Sequence, residues 1–144
     1  MPINSLKPLS PKAQAVFDHL TEGIDVGGAR KIDNATGLFM AVSIDRLTER
    51  HYSIAHNFIQ NGDVMADPDM TFFKAEDSKV YTCTFRQDSL AVYRIGLDIT
   101  PEGVIEHENA HEQRDQADFA NGWMRNIADQ QQLPCRFDEE ESDV

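Results

Sequence analysis

The chain has 144 residues, 40% of them hydrophobic and 8% aromatic, which suits one domain with a real core and is too short for two ordinary ones. Its formal net charge of −12 argues against direct binding to nucleic acid or to an anionic membrane, because both need a basic surface. A protein partner with a basic surface remains compatible with that charge.

The imbalance is uneven. Residues 1–100 carry 13 acids and 10 bases, whereas residues 101–144 carry 12 acids and 3 bases. Two cysteines, Cys83 and Cys135, form no C-x-x-C pair and read as reduced thiols. Met1 to Lys12 has no apolar signal-like core, and no apolar run approaches the length of a membrane span. A soluble, cytoplasmic protein is expected.

Residues 1–9 hold two prolines and little periodicity and read as an N-terminal arm. Ser10 has the character of an N-cap, with Pro11 at the first helical position, where a missing N–H costs nothing. Ala13, Val16, Phe17 and Leu20 form one apolar stripe and Gly23 is the stop, so a helix is predicted over 11–22. Ile24 to Gly37 reads as a connecting loop; it lacks both phosphate-binding glycine patterns.

From Leu38 the period shortens to two. Strands are predicted over 38–44, 51–59, 70–74, 79–87 and 91–99. In the second, Tyr52, Ile54, His56 and Phe58 share a face; in the fourth, Tyr81, Cys83 and Phe85 do. Between the second and third lies Gln60 to Met70, where Asn61-Gly62 signals a tight hairpin and Asp67-Pro68-Asp69 a proline turn. The connections are too short for parallel crossovers, so an antiparallel meander follows.

Thr100 to Gly103 is expected to end the sheet. Phe119, Ala120, Trp123, Met124, Ile127 and Ala128 form a second helical stripe, and a helix over 114–132 is predicted to lie across the sheet with Trp123 as its anchor. Gly122 within it costs about 1 kcal/mol relative to alanine. The expected architecture is α+β: an arm over 1–9, one domain over 10–133 with an N-terminal helix, a five-stranded antiparallel meander and a C-terminal amphipathic helix packed on the sheet, and an acidic tail over 134–144.

Three clusters invite a chemical reading. His107-Glu108-Asn109-Ala110-His111 matches H-E-x-x-H, in which two histidines one helical turn apart hold zinc and the glutamate activates water. Such helices are built into cores, yet Glu106 to Gln116 has Ala110 as its one apolar residue, and Arg114 stands where the extended motif needs glycine. A solvated helix start is the plainer reading. Asp63, Asp67 and Asp69, with His51 or His56, offer oxygens to a hard cation, but the spacing is not that of a calcium loop. Turn-capping accounts for these aspartates more simply, with a secondary role in contacting a partner. His56 reads as a packed or hydrogen-bonded histidine, and Cys83 as a small core residue.

The third cluster is the acidic C-terminal third. Glu106, Glu108, Glu112, Asp115 and Asp118 precede the apolar stripe, and an acidic run follows it. Beside a solvated face, the functional reading is an anionic surface offered to a basic groove, where complementary charge sets on-rate and specificity. No catalytic, cofactor or metal residue is assigned, and no cofactor is expected.

Five stretches taken together carry a resemblance: Arg30 to Asn34, His51 to His56, Gln60 to Asp63, Asp67 to Met70 and Arg86 to Leu90. Over about residues 10–95 the chain resembles an uncharacterised family of small bacterial proteins encoded on plasmids, integrative elements and phages. The resemblance brings no catalytic residues; it implies a mobile-element setting, in which small acidic proteins often inhibit host restriction enzymes or CRISPR complexes. The leading expectation is therefore a non-enzymatic protein-binding module, with a nucleic-acid-mimicking acidic surface turned to a basic defence effector. The alternatives are a metal-dependent hydrolase using His107, Glu108 and His111 or the Asp63, Asp67 and Asp69 loop, and an accessory plasmid-maintenance or structural protein.

Overall fold

A computed structural model describes residues 5–34 and 38–135; the acidic run over 138–144 lies outside the described residues. Helix α1 spans Pro11–Thr21 as its signals predict: Ser10 Oγ accepts from the Ala13 amide, and Gly23 leaves the helix at φ +77°. Eight strands follow: β1 (Ala29–Ile32), β2 (Ala41–Arg46), β3 (His51–Gln60), β4 (Asp63–Lys74), β5 (Val80–Gln87), β6 (Val92–Ile95), β7 (Leu97–Ile99) and β8 (Ile105–Glu108). Helix α2, Ala110–Gln130, closes the fold.

The first six strands form one antiparallel sheet in chain order, and β7 and β8 form a separate two-stranded sheet. The meander is as predicted, but five strands become six plus two. The predicted loop over 24–37 hides β1, a four-residue edge strand paired to β2, and β2 itself begins at Ala41 rather than Leu38. The single strand predicted over 91–99 is broken at Gly96. A Cβ there would sit 2.9 Å from the Gln113 Cα, so only glycine lets this corner press against α2. Thr100 to Gly103 consequently turns the β7–β8 hairpin instead of ending the sheet.

Asn61 and Gly62 both take positive φ in a two-residue loop pairing Gln60 with Asp63, as the hairpin signal requires. The Asp67-Pro68 turn is a correction. That peptide is cis and lies inside β4, where the register shifts between Ala55 and Asn57 so that His56 stands opposite the extra residue. Proline chemistry that favours a turn also suits a bulge, because neither asks for its missing N–H. A second shift, between Thr71 and Phe72, parts Cys83 from its predicted face-mate Phe85: Cys83 joins the cluster of Leu6, Phe73, Tyr81 and Leu97, while Phe85 packs on the main core.

The register puts Val42, Ile44, Tyr52, Ile54, Met70 and Phe72 on one face of the sheet. Both helices cover that face: α1 through Ala13, Val16, Phe17 and Leu20, and α2 through Ala120, Trp123, Met124, Ile127 and Ala128. Among the described residues, the other face is capped at one corner, where Leu6 and the β7–β8 hairpin sit over Phe73 and Tyr81. Its remainder carries Ser43, Asp45, Ser53, Asp69, Thr71, Thr84 and Arg86, none of them buried.

Helix α2 starts four residues before its predicted start. Its first turns bury glutamines rather than apolar side chains: Gln113 Oε1 accepts from the Lys7 amide at 2.8 Å, and its Nε2 donates to the Lys7 carbonyl at 2.9 Å and to Thr82 Oγ1 at 3.2 Å. The described part of the arm is thereby bound to the domain, and Leu9 N–H donates to the Val80 carbonyl at 2.9 Å. At the other end of α2, buried Gln131 accepts from the Asn34 amide and donates to the Met40 carbonyl, holding the β1–β2 connection.

Candidate partner-binding surface

The H-E-x-x-H match dissolves in three dimensions. His107 and Glu108 end β8, Asn109 caps α2 by accepting from the Glu112 amide, and His111 lies in the first turn of the helix with its side chain 83% exposed. Two histidines on different elements are not one turn apart on a helix, so the zinc geometry that the motif presumes is missing. Among the described residues, no group of three or more His, Cys, Asp or Glu side chains is arranged to hold a metal ion.

The aspartates divide. Asp63 is exposed at the hairpin tip, away from the other two. Asp67 and Asp69 are drawn, with Asp88, into a polar cluster joining β4 to the 3-10 turn Asp88–Leu90. Ser89 Oγ donates to Asp67 at 2.6 Å, Ser53 Oγ to Asp69 at 2.8 Å, and the Ala66 amide to Asp88 at 2.8 Å. Arg86 bridges Asp69 at 3.4 Å and Asp88 at 3.2 Å. Burial raises the Asp69 pKa; the Ser53 hydrogen bond and Arg86 oppose the rise, while Asp45 and Asp88 add to it. Residues from the His51 to His56, Asp67 to Met70 and Arg86 to Leu90 stretches singled out in the sequence thus meet at one place. Ser89, Ser53, Arg86 and the Ala66 amide supply donors to the cluster, although buried Asp67 Oδ1 finds none among the described residues, and the cluster fastens the β4 bulge to the β5–β6 turn.

His56 behaves as expected of a packed histidine. It is buried, its Nδ1 accepts from the Trp123 indole N–H at 3.1 Å, and the rings meet edge-to-face at 5.4 Å. Burial lowers its pKa, as it does that of His51. Cys83 is buried with its thiol pKa pushed far up, so it is not a thiolate nucleophile at neutral pH.

Of the acidic third, Glu106 and Glu108 lie on β8 and Glu112, Asp115 and Asp118 on the first half of α2. Glu106 and Glu108 are exposed on alternate positions of β8, and Glu108 accepts from Ser5 Oγ at 3.3 Å. Glu112 accepts from Gln116 Nε2 at 3.1 Å, Asp115 faces His111 at 3.5 Å, and Asp118 pairs with Lys7. Glu112 and Asp115 also flank Arg94 of β6 in a small recess of about 80 Å³.

A further feature was not predicted. On the open face, where β1, β2 and the β3–β4 hairpin tip meet, a groove of about 740 Å³ is lined by Leu38, Phe39, Met40, Phe58, Ile59 and Val64. Leu38 is 79% exposed, Ile59 73% and Val64 69%. The signal was present as Leu38-Phe39-Met40, but was read as the beginning of a strand.

The fold and these surfaces define a small antiparallel α+β domain with one covered and one open sheet face. The model of a family described as a domain of unknown function (DUF6908) matches residues 12–133, and the chain belongs to that family. The matched span runs through α2, past the residues 10–95 over which the sequence resemblance was traced. Searches of curated proteins and of solved structures gave no match. No helix among the described residues is long and apolar enough to cross a membrane.

Proposed function

We propose that this protein is an acidic, non-enzymatic binding module that engages a basic surface on a partner protein through β8 and the first half of α2. The observation that supports this reading is the division of labour on α2. Its inner stripe is spent on the core and on the Gln113 contacts, while Asp115 and Asp118 on its outer stripe join Glu106 and Glu108 of β8 at one solvent-facing end. Pairing with Lys7 and His111 does not cancel that surface, because exposed ion pairs are worth little and stay hydrated. A carboxylate row of this kind is suited to fill a phosphate-binding channel. The proposed partner is accordingly a nucleic-acid-handling effector, in the mobile-element setting a restriction nuclease or CRISPR complex met in the cytoplasm.

Co-purification from the native host, with wild type beside a Glu108→Lys, Glu112→Lys, Asp115→Lys triple variant, tests the reading. A nuclease or effector complex recovered with wild type and lost with the variant, at unchanged thermal stability, is the expected result. Equal recovery with both proteins would remove the acidic end from recognition.

A further inference from the structure

The groove on the open face lies at the far end of α2 from the acidic surface. Gln131, just past the C-terminus of α2, bonds the Asn34 amide and the Met40 carbonyl beside the groove, while Glu112 lies in the helix's first turn. With 21 residues in α2, at about 1.5 Å per residue, the two surfaces are roughly 30 Å apart. They are separate, and their chemistry differs.

Exposed apolar side chains scattered singly need no explanation, but Leu38, Phe39, Met40, Ile59 and Val64 line one concavity. The volume of about 740 Å³ is in the range that seats two or three large side chains. The groove floor is polar but partly self-satisfied, since Ser43 Oγ donates to Asn57 Oδ1. Its surroundings favour positive charge. Its lining carries one acid, Asp33, and one base, Lys31, while beyond the lining Asp63 adjoins Val64 at the hairpin tip and Asp45 lies two residues along β2 from Ser43, so carboxylates predominate around it. The chain's net charge of −12 makes a second acidic copy a poor occupant and a cationic one a good one.

We infer that this groove is a second docking site, and that its occupant is an amphipathic segment of a partner protein presenting large apolar side chains flanked by lysine or arginine. The inference rests on the binding-module reading, but not on the acidic end being the contact. Apolar anchors in the groove supply the affinity and the surrounding aspartates select the sign of the charge.

The test uses the full-length chain and two designed helical peptides of matched length, one of leucine and lysine and one of leucine and glutamate, with binding followed by fluorescence anisotropy. The Leu/Lys peptide is expected to bind and the Leu/Glu peptide not to. An Ile59→Ser, Val64→Ser double variant should weaken Leu/Lys binding by about tenfold or more. In a Glu108→Gln, Glu112→Gln, Asp115→Asn background, where the acidic end no longer competes for the basic peptide, the groove variant should still weaken Leu/Lys binding by about tenfold or more. If the acidic-end variant abolishes binding and the groove variant leaves it intact, the groove inference falls and the acidic-end reading survives. Equal binding of both peptides overturns the charge selection. Sedimentation showing a wild-type dimer that the groove variant converts to monomer would make a second copy the occupant and overturn the inference.

Discussion

Trp123 donates its indole N–H to Nδ1 of His56 at 3.1 Å, so the anchor of α2 is tied to the strand position opposite the Asp67-Pro68 bulge. This bond is a buried polar contact that joins helix to bulge. Trp123→Phe keeps an aromatic ring but leaves a buried ring nitrogen without its donor, an expected loss of at least about 2 kcal/mol. Urea unfolding of wild type and variant measures it. A loss under about 0.5 kcal/mol would show the bond to be incidental.

The same histidine gives stability a pH dependence. His56 and His51 have folded-state pKa values below 6.5 because burial penalises the imidazolium. The unfolded chain therefore binds more protons than the folded one as pH falls through 6.5, and stability is lost on acidification from there down to the folded-state values. Asp69 acts in the opposite sense: its raised pKa means that the folded state takes up a proton first, so its contribution grows as pH falls toward the carboxylate range. Urea midpoints measured from pH 8 to pH 5 should fall below about pH 6.5 in wild type, and fall less in His56→Gln. Parallel curves for the two proteins would remove His56 as the cause.

Two glycines should respond to alanine with opposite signs. Gly96 has Gln113 Cα at 2.9 Å from the place a Cβ would take, so Gly96→Ala forces the β6–β7 corner off α2 and should cost about 1–3 kcal/mol. Gly122 lies in α2 with nothing within 4 Å of its Cβ position, and Gly122→Ala should gain about 0.5–1 kcal/mol. Thermal unfolding of both variants decides this, and a shared sign would contradict the packing described.

Gln113 is the pin that holds the arm. Gln113→Leu keeps similar bulk but leaves the Lys7 N–H and C=O without their partner, at an expected cost of about 1–3 kcal/mol. Hydrogen exchange at the Lys7 and Leu9 amides should accelerate more than exchange in β3. Unchanged exchange at Lys7 would mean that the arm's other contacts, among them buried Leu6 and Leu9 and the Lys7–Asp118 pair, hold it without Gln113.

How much of this was written plainly in the sequence depends on the kind of signal. Helix α1 was legible because Ser10, Pro11, the Ala13–Leu20 stripe and Gly23 all agree, and Asn61-Gly62 fixed its hairpin for the same reason. The four-residue strand β1 was not, because Arg30 and Lys31 break the apolar alternation and its pairing comes from β2. The start of α2 was missed because an apolar period cannot see Gln113 and Gln116, which are buried through hydrogen bonds rather than hydrophobicity. Proline at 68 was ambiguous in principle, since turns and bulges accept it on the same grounds. Of the candidate site residues, the carboxylates of the acidic end were singled out by counting charge. The groove was passed over because exposed and buried apolar residues look alike in one dimension.

The central claim, that the acidic end is a recognition surface, is tested most directly by the salt dependence of binding to the protein recovered from the host. The account predicts affinity that falls steadily as salt is raised, through a slower association rate, and a shallower dependence in the Glu108→Lys, Glu112→Lys, Asp115→Lys variant. Affinity independent of salt, equal in wild type and variant, would contradict it.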